Sequence, residues 1–169
     1  MLKLKYTADA KAHIIFWPIV IIGVTADLWT KYAVFKWLVT VPYNTFSIID
    51  GIFQFVLAEN EGAAFGIASG RRTMLVLVAV VALVIILGLF LFGEMKHRLM
   101  TIALAMFTAG ICGNLYDRFF NDGRVRDFID VVYWPGKHWP AFNIADSLLC
   151  VAVGLMFFSN FITSRKPSR

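Results

Sequence analysis

From Thr73 to Gly93 the chain carries no ionisable side chain. At a rise of about 1.5 Å per residue, a helix over this run covers roughly 31 Å, the thickness of one bilayer hydrocarbon core. A segment this long and this apolar has one economical environment, the interior of a membrane. The rest of the chain agrees. Charged residues make up 16% of it and hydrophobic residues 59%, and the mean hydropathy of +0.72 is too high for a soluble domain of this length.

Further runs free of Asp, Glu, Lys and Arg extend over Ala12–Ala26, Leu99–Tyr116 and Ser147–Ser164. Each becomes a full span by taking in polar residues at one end: Asp27 and Lys31 for the first, Asp117 and Arg118 for the third, Asn143 and Asp146 for the fourth. If the spans alternate in direction, these ends share one membrane side. The expected fold is therefore an all-α integral membrane protein of one domain, 1–169, with four transmembrane helices near 13–35, 73–93, 99–117 and 140–164. Outer segments fall at about 37–72 and 119–139. Ionisable groups at membrane depth are costly, so those gathered at the span ends are the first functional candidates.

Lysine and arginine set the orientation. Lys3, Lys5, Lys11, Lys96, Arg98, Arg165, Lys166 and Arg169 share a side with just Asp9 and Glu94. On the other side the basic residues are spread over longer segments and accompanied by the remaining acids. Short basic loops favour both termini in the cytoplasm; Arg71 and Arg72, outside span two, run against that rule. The net charge of +5 reads as topology and headgroup contact, with no support for a nucleic-acid partner. A cleavable signal peptide ending at Val24-Thr25-Ala26 is the alternative reading of the first span. It would separate Asp27 and Lys31 from the helix that precedes them.

In the first outer segment, Asp50-Gly51 lies between aromatic and β-branched runs, which predicts a hairpin, apolar enough to rest on the membrane surface. The second outer segment reads as short and polar. Cys112 and Cys150 sit inside apolar runs and read as buried thiols.

Asp127 and Asp146 flank that second segment and can meet where the third and fourth spans emerge. Two carboxylates brought together in a low dielectric share a proton, which supplies an acid and a base at once. Such a pair can activate water against a peptide carbonyl without metal or covalent intermediate. The competing reading leaves Asp127 in a solvated loop and Asp146 as a cap or bundle contact. Asn143 and Asp146, three apart, and Asn114 and Arg118, four apart, share helix faces and can hold the acids or a substrate backbone, or act as interhelical hydrogen-bond links. Asp27 and Lys31, four apart in the favourable order, read as a structural ion pair. No zinc motif, Walker-type loop or Gly-x-Gly-Asp motif is present, and His13, His97 and His138 offer no nucleophile partner. No metal and no cofactor is expected.

Together these blocks resemble the lipoprotein signal peptidases, or signal peptidase II. The resemblance rests on Asp27-Leu-Trp-Thr-Lys31, Asn60-Glu-Gly62-Ala-Ala-Phe65, Gly110-Ile-Cys-Gly-Asn114-Leu-Tyr-Asp-Arg118, Val125-Arg-Asp127-Phe and Phe142-Asn143-Ile-Ala-Asp146, in the family's order. It implies an aspartyl endopeptidase of the bacterial cytoplasmic membrane, acting near the outer face, that cuts prolipoproteins before their diacylglyceryl-modified cysteine. It places the catalytic aspartates at Asp127 and Asp146. It implies substrate-ordering or dyad-supporting roles for Asn60, Gly62, Asn114, Arg118 and Asn143, and a small outer sheet with a short helix over the site. Diacylglyceryl prolipoproteins and membrane lipid are then the partners, and a monomer suffices. Asp130, three after Asp127, is a second acid that competes for the catalytic assignment. Acyl chains anchored in the bilayer require lateral entry, for which Gly110, Gly113, Ala141 and Ala145 leave room, although packing accounts for them equally. The other class of reading is a small transporter or assembly factor in which Asp27, Asp127 and Asp146 relay protons or pair with cations.

Overall fold

The computed structural model describes residues 9–63, 67–93 and 97–164. Lys3, Lys5, Lys96, Arg165, Lys166 and Arg169, on which much of the orientation argument rests, lie outside the described residues, as do Ala64 and Phe65.

Four helices are long and apolar enough to cross a membrane: α1 (Ala10–Leu38), α2 (Arg72–Phe92), α3 (Arg98–Phe120) and α4 (Ile144–Ser164). Asp9 caps α1 by accepting the Ala12 N–H at 2.7 Å, which satisfies one of the free donors of its first turn. α2 is much the most apolar of the four, and the helices differ in burial as well. Within its most apolar stretch α3 is 61% buried, against 17% for α2 and α4, so α3 is the axis of the bundle and the other two turn most of their surface outward.

Close approach at that axis depends on missing side chains. A Cβ on Gly110 would stand 2.6 Å from the Ala145 carbonyl oxygen, and one on Gly113 would collide with the Asp27 carboxylate. The room these glycines provide is thus filled by α4 and by Asp27. Packing, not passage for an acyl chain, accounts for them. Toward the other end of the bundle, the Phe16 and Phe90 rings stack at 3.8 Å between α1 and α2, beside Val20, Ile86 and Leu104.

Outside the bundle lies a four-stranded antiparallel sheet in the order β1 (Thr45–Ile49), β2 (Phe53–Asn60), β3 (Val125–Trp134), β4 (Lys137–His138). The Asp50-Gly51 turn is closed by Ile52 N–H to the Ile49 carbonyl at 3.0 Å, with Gly51 at φ +71°, a conformation glycine adopts without steric penalty. Phe46, Ile48, Ile49 and Ile52 of this hairpin are exposed. A 3-10 turn, Pro42–Asn44, joins α1 to the sheet.

The second outer segment departs from its sequence reading. It is largely strand. β3 pairs with β2 through Asn60↔Val125 and Ala58↔Asp127, so the sheet joins the two outer segments into one unit. Its end folds back: Phe142 exchanges backbone hydrogen bonds with Ile129 at 2.9 and 3.0 Å, bringing the entry to α4 alongside the strand. That contact positions the site.

Candidate active site

At the end of the bundle that carries the sheet, α1, α3, β3 and the start of α4 bring their polar residues to one place. Asn143 stands immediately before α4. Its side-chain oxygen accepts the Asp146 N–H at 2.9 Å, and Asp146 Oδ2 accepts the Asn143 N–H at 3.2 Å. This is a reciprocal capping box, so the spacing of three read as one helix face is instead a helix start. The Asn143 amide is left free to reach outward. It donates to Asp127 Oδ1 at 2.6 Å and to Asn114 Oδ1 at 3.0 Å. Asn114 in turn donates to Asp146 Oδ1 at 2.7 Å. Asp127 and Asp146, nineteen positions apart in sequence numbering, are thus held by a common pair of asparagines.

Asp127 is 2% exposed. Burial, reinforced by the charge of Asp146, pushes its carboxyl up to about 7, while hydrogen bonds from Asn60 and Asn143 pull the other way. A carboxyl in that range carries a proton for much of the time near neutral pH. Beside the Asp146 carboxylate, the arrangement holds one acid and one base.

The bend from Asn60 to Gly62, at the end of β2, is pinned over the same spot. Asn60 Oδ1 accepts the Gly62 N–H at 2.8 Å, and Arg118 Nη2 donates to the Gly62 carbonyl at 2.8 Å. Arg118 also reaches the Asn114 carbonyl at 3.3 Å. Its Nε–H is buried without an acceptor among the described residues. Asn60, Gly62, Asn114, Arg118, Asp127 and Asp146 line one cavity of about 1350 Å³. The cavity continues past Leu75 and Val78 of α2 and Leu149 of α4, an apolar extension flanked by helices that both pack on α3.

Asp27 and Lys31 lie on α1 with Oδ2 and Nζ 2.7 Å apart, both fully buried. Lys31 also contacts Asp117 at 3.3 Å and Asn114 Oδ1 at 3.0 Å. Asp117, named from sequence as one of the polar residues at the end of the third span, is fully buried and takes two hydrogen bonds from the Arg126 guanidinium, at 2.5 and 3.1 Å. Asp130, the acid that competes with Asp127 for the catalytic assignment, is buried too. It faces away from the cavity, accepting from Gln54 at 2.5 Å and lying 2.8 Å from His138 Nδ1. An odd spacing on a strand puts two side chains on opposite faces, which separates Asp130 from Asp127.

Arg126 and the strand itself were missed from sequence. The signal was present in the β-branched and aromatic run Val125-Arg-Asp-Phe-Ile-Asp-Val-Val-Tyr-Trp134. Its density of charged residues favoured a loop reading.

The family model described as signal peptidase (SPase) II matches residues 19–162. The chain belongs to the signal peptidase II family. It is an aspartic peptidase and a multi-pass membrane protein. Among similar proteins, the lipoprotein signal peptidase of Geobacter sulfurreducens is 44% identical over 117 residues, covering 68% of this chain and 72% of that one. That of Sulfurihydrogenibium sp. is 38% identical over 86% of this chain and 90% of its own length. A bacterial membrane enzyme solved by the in meso method at 2.3 Å resolution superposes with a TM-score of 0.77 at 27% identity, covering 97% of each chain. Membership of the signal peptidase II family does not favour the transporter or assembly-factor reading.

Proposed function

We propose that Asp127 and Asp146 are the catalytic dyad of this peptidase, and that it cuts prolipoproteins immediately before a diacylglyceryl-modified cysteine. Removal of signal peptides from prolipoproteins is the activity that comes with the family. The observation that carries the residue assignment is the asparagine pair: Asn143 bonds Asp127 and caps with Asp146, while Asn114 bonds Asp146.

In this reading Asp127 holds the shared proton and Asp146 the charge. Asp146 takes a proton from a water as the water oxygen attacks the scissile carbonyl, and Asp127 protonates the carbonyl oxygen. The gem-diol intermediate then collapses as Asp146 passes the proton it took from the water to the leaving amine and Asp127 takes one back from a hydroxyl of the diol, which restores both aspartates. Arg118 Nε and the backbone between Asn60 and Gly62 order the substrate chain, a role supported by the buried, unfilled Nε–H. The apolar extension of the cavity suits acyl chains entering from membrane lipid between α2 and α4. Both termini face the cytoplasm, the site lies near the outer face of the inner membrane, and one copy suffices, since a single chain contributes every residue named.

The test is direct. Purified protein is given a diacylglyceryl-cysteine prolipoprotein peptide and its unlipidated counterpart, and cleavage of the lipidated peptide alone is expected. Full turnover by a protein carrying both Asp127→Asn and Asp146→Asn would remove the dyad assignment.

A further inference from the structure

We infer that Asp27, Lys31 and Asp117 form a positioning frame that sets where the two dyad aspartates stand relative to one another. The inference rests on reading Asp127 and Asp146 as the dyad. Its basis is a repeated contact. Asp117 Oδ2 accepts the main-chain N–H of Arg126, the residue before Asp127, at 3.0 Å. Asp27 Oδ1 accepts the main-chain N–H of Ala145, the residue before Asp146, at 2.9 Å. One carboxylate from α3 and one from α1 thus hold the backbone directly upstream of each aspartate.

Lys31 joins the two halves. Its ammonium is paired by charge with Asp27 Oδ2 at 2.7 Å and Asp117 Oδ2 at 3.3 Å, and it donates a hydrogen bond to Asn114 Oδ1 at 3.0 Å. The third contact orients the Asn114 amide, whose NH₂ bonds Asp146 Oδ1. Asp117 is fixed from its other side by the Arg126 guanidinium.

Stability is a poor explanation for this cluster. Asp27, Lys31 and Asp117 are each 0% exposed, and removing such groups from water offsets most of what their attraction returns. Well-packed apolar side chains would hold the helices as firmly. What they would not supply is an acceptor aimed at each of two particular N–H groups, with one cation fixing the distance between the acceptors. Placement of reacting groups to within fractions of an ångström is where such rigidity matters, since a displacement of about 1 Å costs on the order of a hundredfold in rate.

The experiment compares Asp117→Leu with Asp117→Asn, and Asp27→Leu with Asp27→Asn, in the full-length protein. Both members of each pair remove the charge beside Lys31. Asparagine alone keeps an oxygen for the N–H. With the lipidated peptide as substrate, each Leu variant is expected to lose about a hundredfold in kcat with KM within about threefold, and each Asn variant to recover at least about tenfold of that loss. A second readout needs no turnover: the infrared band of the protonated carboxyl, assigned by its absence in Asp127→Asn. Its titration midpoint is expected to fall in the Leu variants, because a wider dyad weakens the influence of the Asp146 charge, and to stay close to the unaltered protein's in the Asn variants.

The arms on Asp117 and Asp27 are independent, so a Leu variant that fails to insert leaves the other to decide. Equal losses in Leu and Asn, or a Leu variant that lowers only the thermal midpoint while kcat and the band are unmoved, would overturn the frame. If the unaltered protein cut no lipidated peptide, the functional reading would fall while the infrared comparison still decided the frame.

Discussion

The amide of Asn143 lies 2.6 Å from the Asp127 carboxylate while the oxygen of the same side chain accepts the Asp146 N–H in the first turn of α4. One asparagine thereby couples a helix start to a strand. Asn143→Ala removes a cap worth about 1 kcal/mol and also the hydrogen bond to Asp127. Activity is expected to fall by more than that stability loss explains, on the order of a hundredfold in kcat, with a small drop in the detergent-phase unfolding temperature. Steady-state kinetics and thermal unfolding on one preparation check both.

Single Asp127→Asn and Asp146→Asn changes each remove one partner of an acid–base pair, and a loss of about a thousandfold or more in kcat is expected with insertion and folding retained. Asp130→Asn is the control. Asp130 sits on the opposite strand face with Gln54 and His138, so its loss should cost less than about tenfold. Cleavage of the lipidated peptide by the three variants ranks them.

The Asp127 carboxyl, raised by burial and by Asp146 to about 7, has a pH signature. In the proposed mechanism cleavage uses its proton, so kcat/KM should fall on the alkaline side with a midpoint near that value. Stability follows with its own sign. The folded value lies above the unfolded value of about 3.8, so the contribution is fully present below about 4 and is lost as pH rises through about 7. Asp127→Asn should flatten that portion of the stability curve, as read by unfolding across pH.

Arg118 spans the Gly62 and Asn114 carbonyls with two different nitrogens and buries a third. A lysine offers a single ammonium and cannot reproduce the fork. Arg118→Lys is expected to raise KM about tenfold or more, with the fold intact. Substrate titration of the variant tests this.

At Gly110, an added Cβ would meet both the Ala145 carbonyl oxygen and Leu149 Cγ at 2.6 Å. Backbone cannot yield as a flexible side-chain tip would, so Gly110→Val should force α3 and α4 apart and cost about 1–3 kcal/mol or more. Unfolding of the detergent-solubilised protein measures it.

Features that depend on local composition and short spacing are legible in the chain alone. Thr73–Gly93 has no charge to keep it in water, and Asp50-Gly51 between apolar runs makes a turn. Asp27 and Lys31 are neighbours on any helix. The five motif blocks were enough to indicate the family. The tertiary structure decided which acids share an environment. Asp127 and Asp130 differ by three positions, and only their places on β3, against β2 and the entry to α4, send one into the cavity and the other to Gln54 and His138. No role for Asp117 is legible in the sequence because its partners, Lys31 and the Arg126 N–H, come from another helix and from a strand. Burial and electrostatic coupling depend on distances through space. In this chain those distances are set by where α1, α3, β3 and α4 converge, as with Asp127 and Asp146, which the Asn114–Asn143 pair brings into one site.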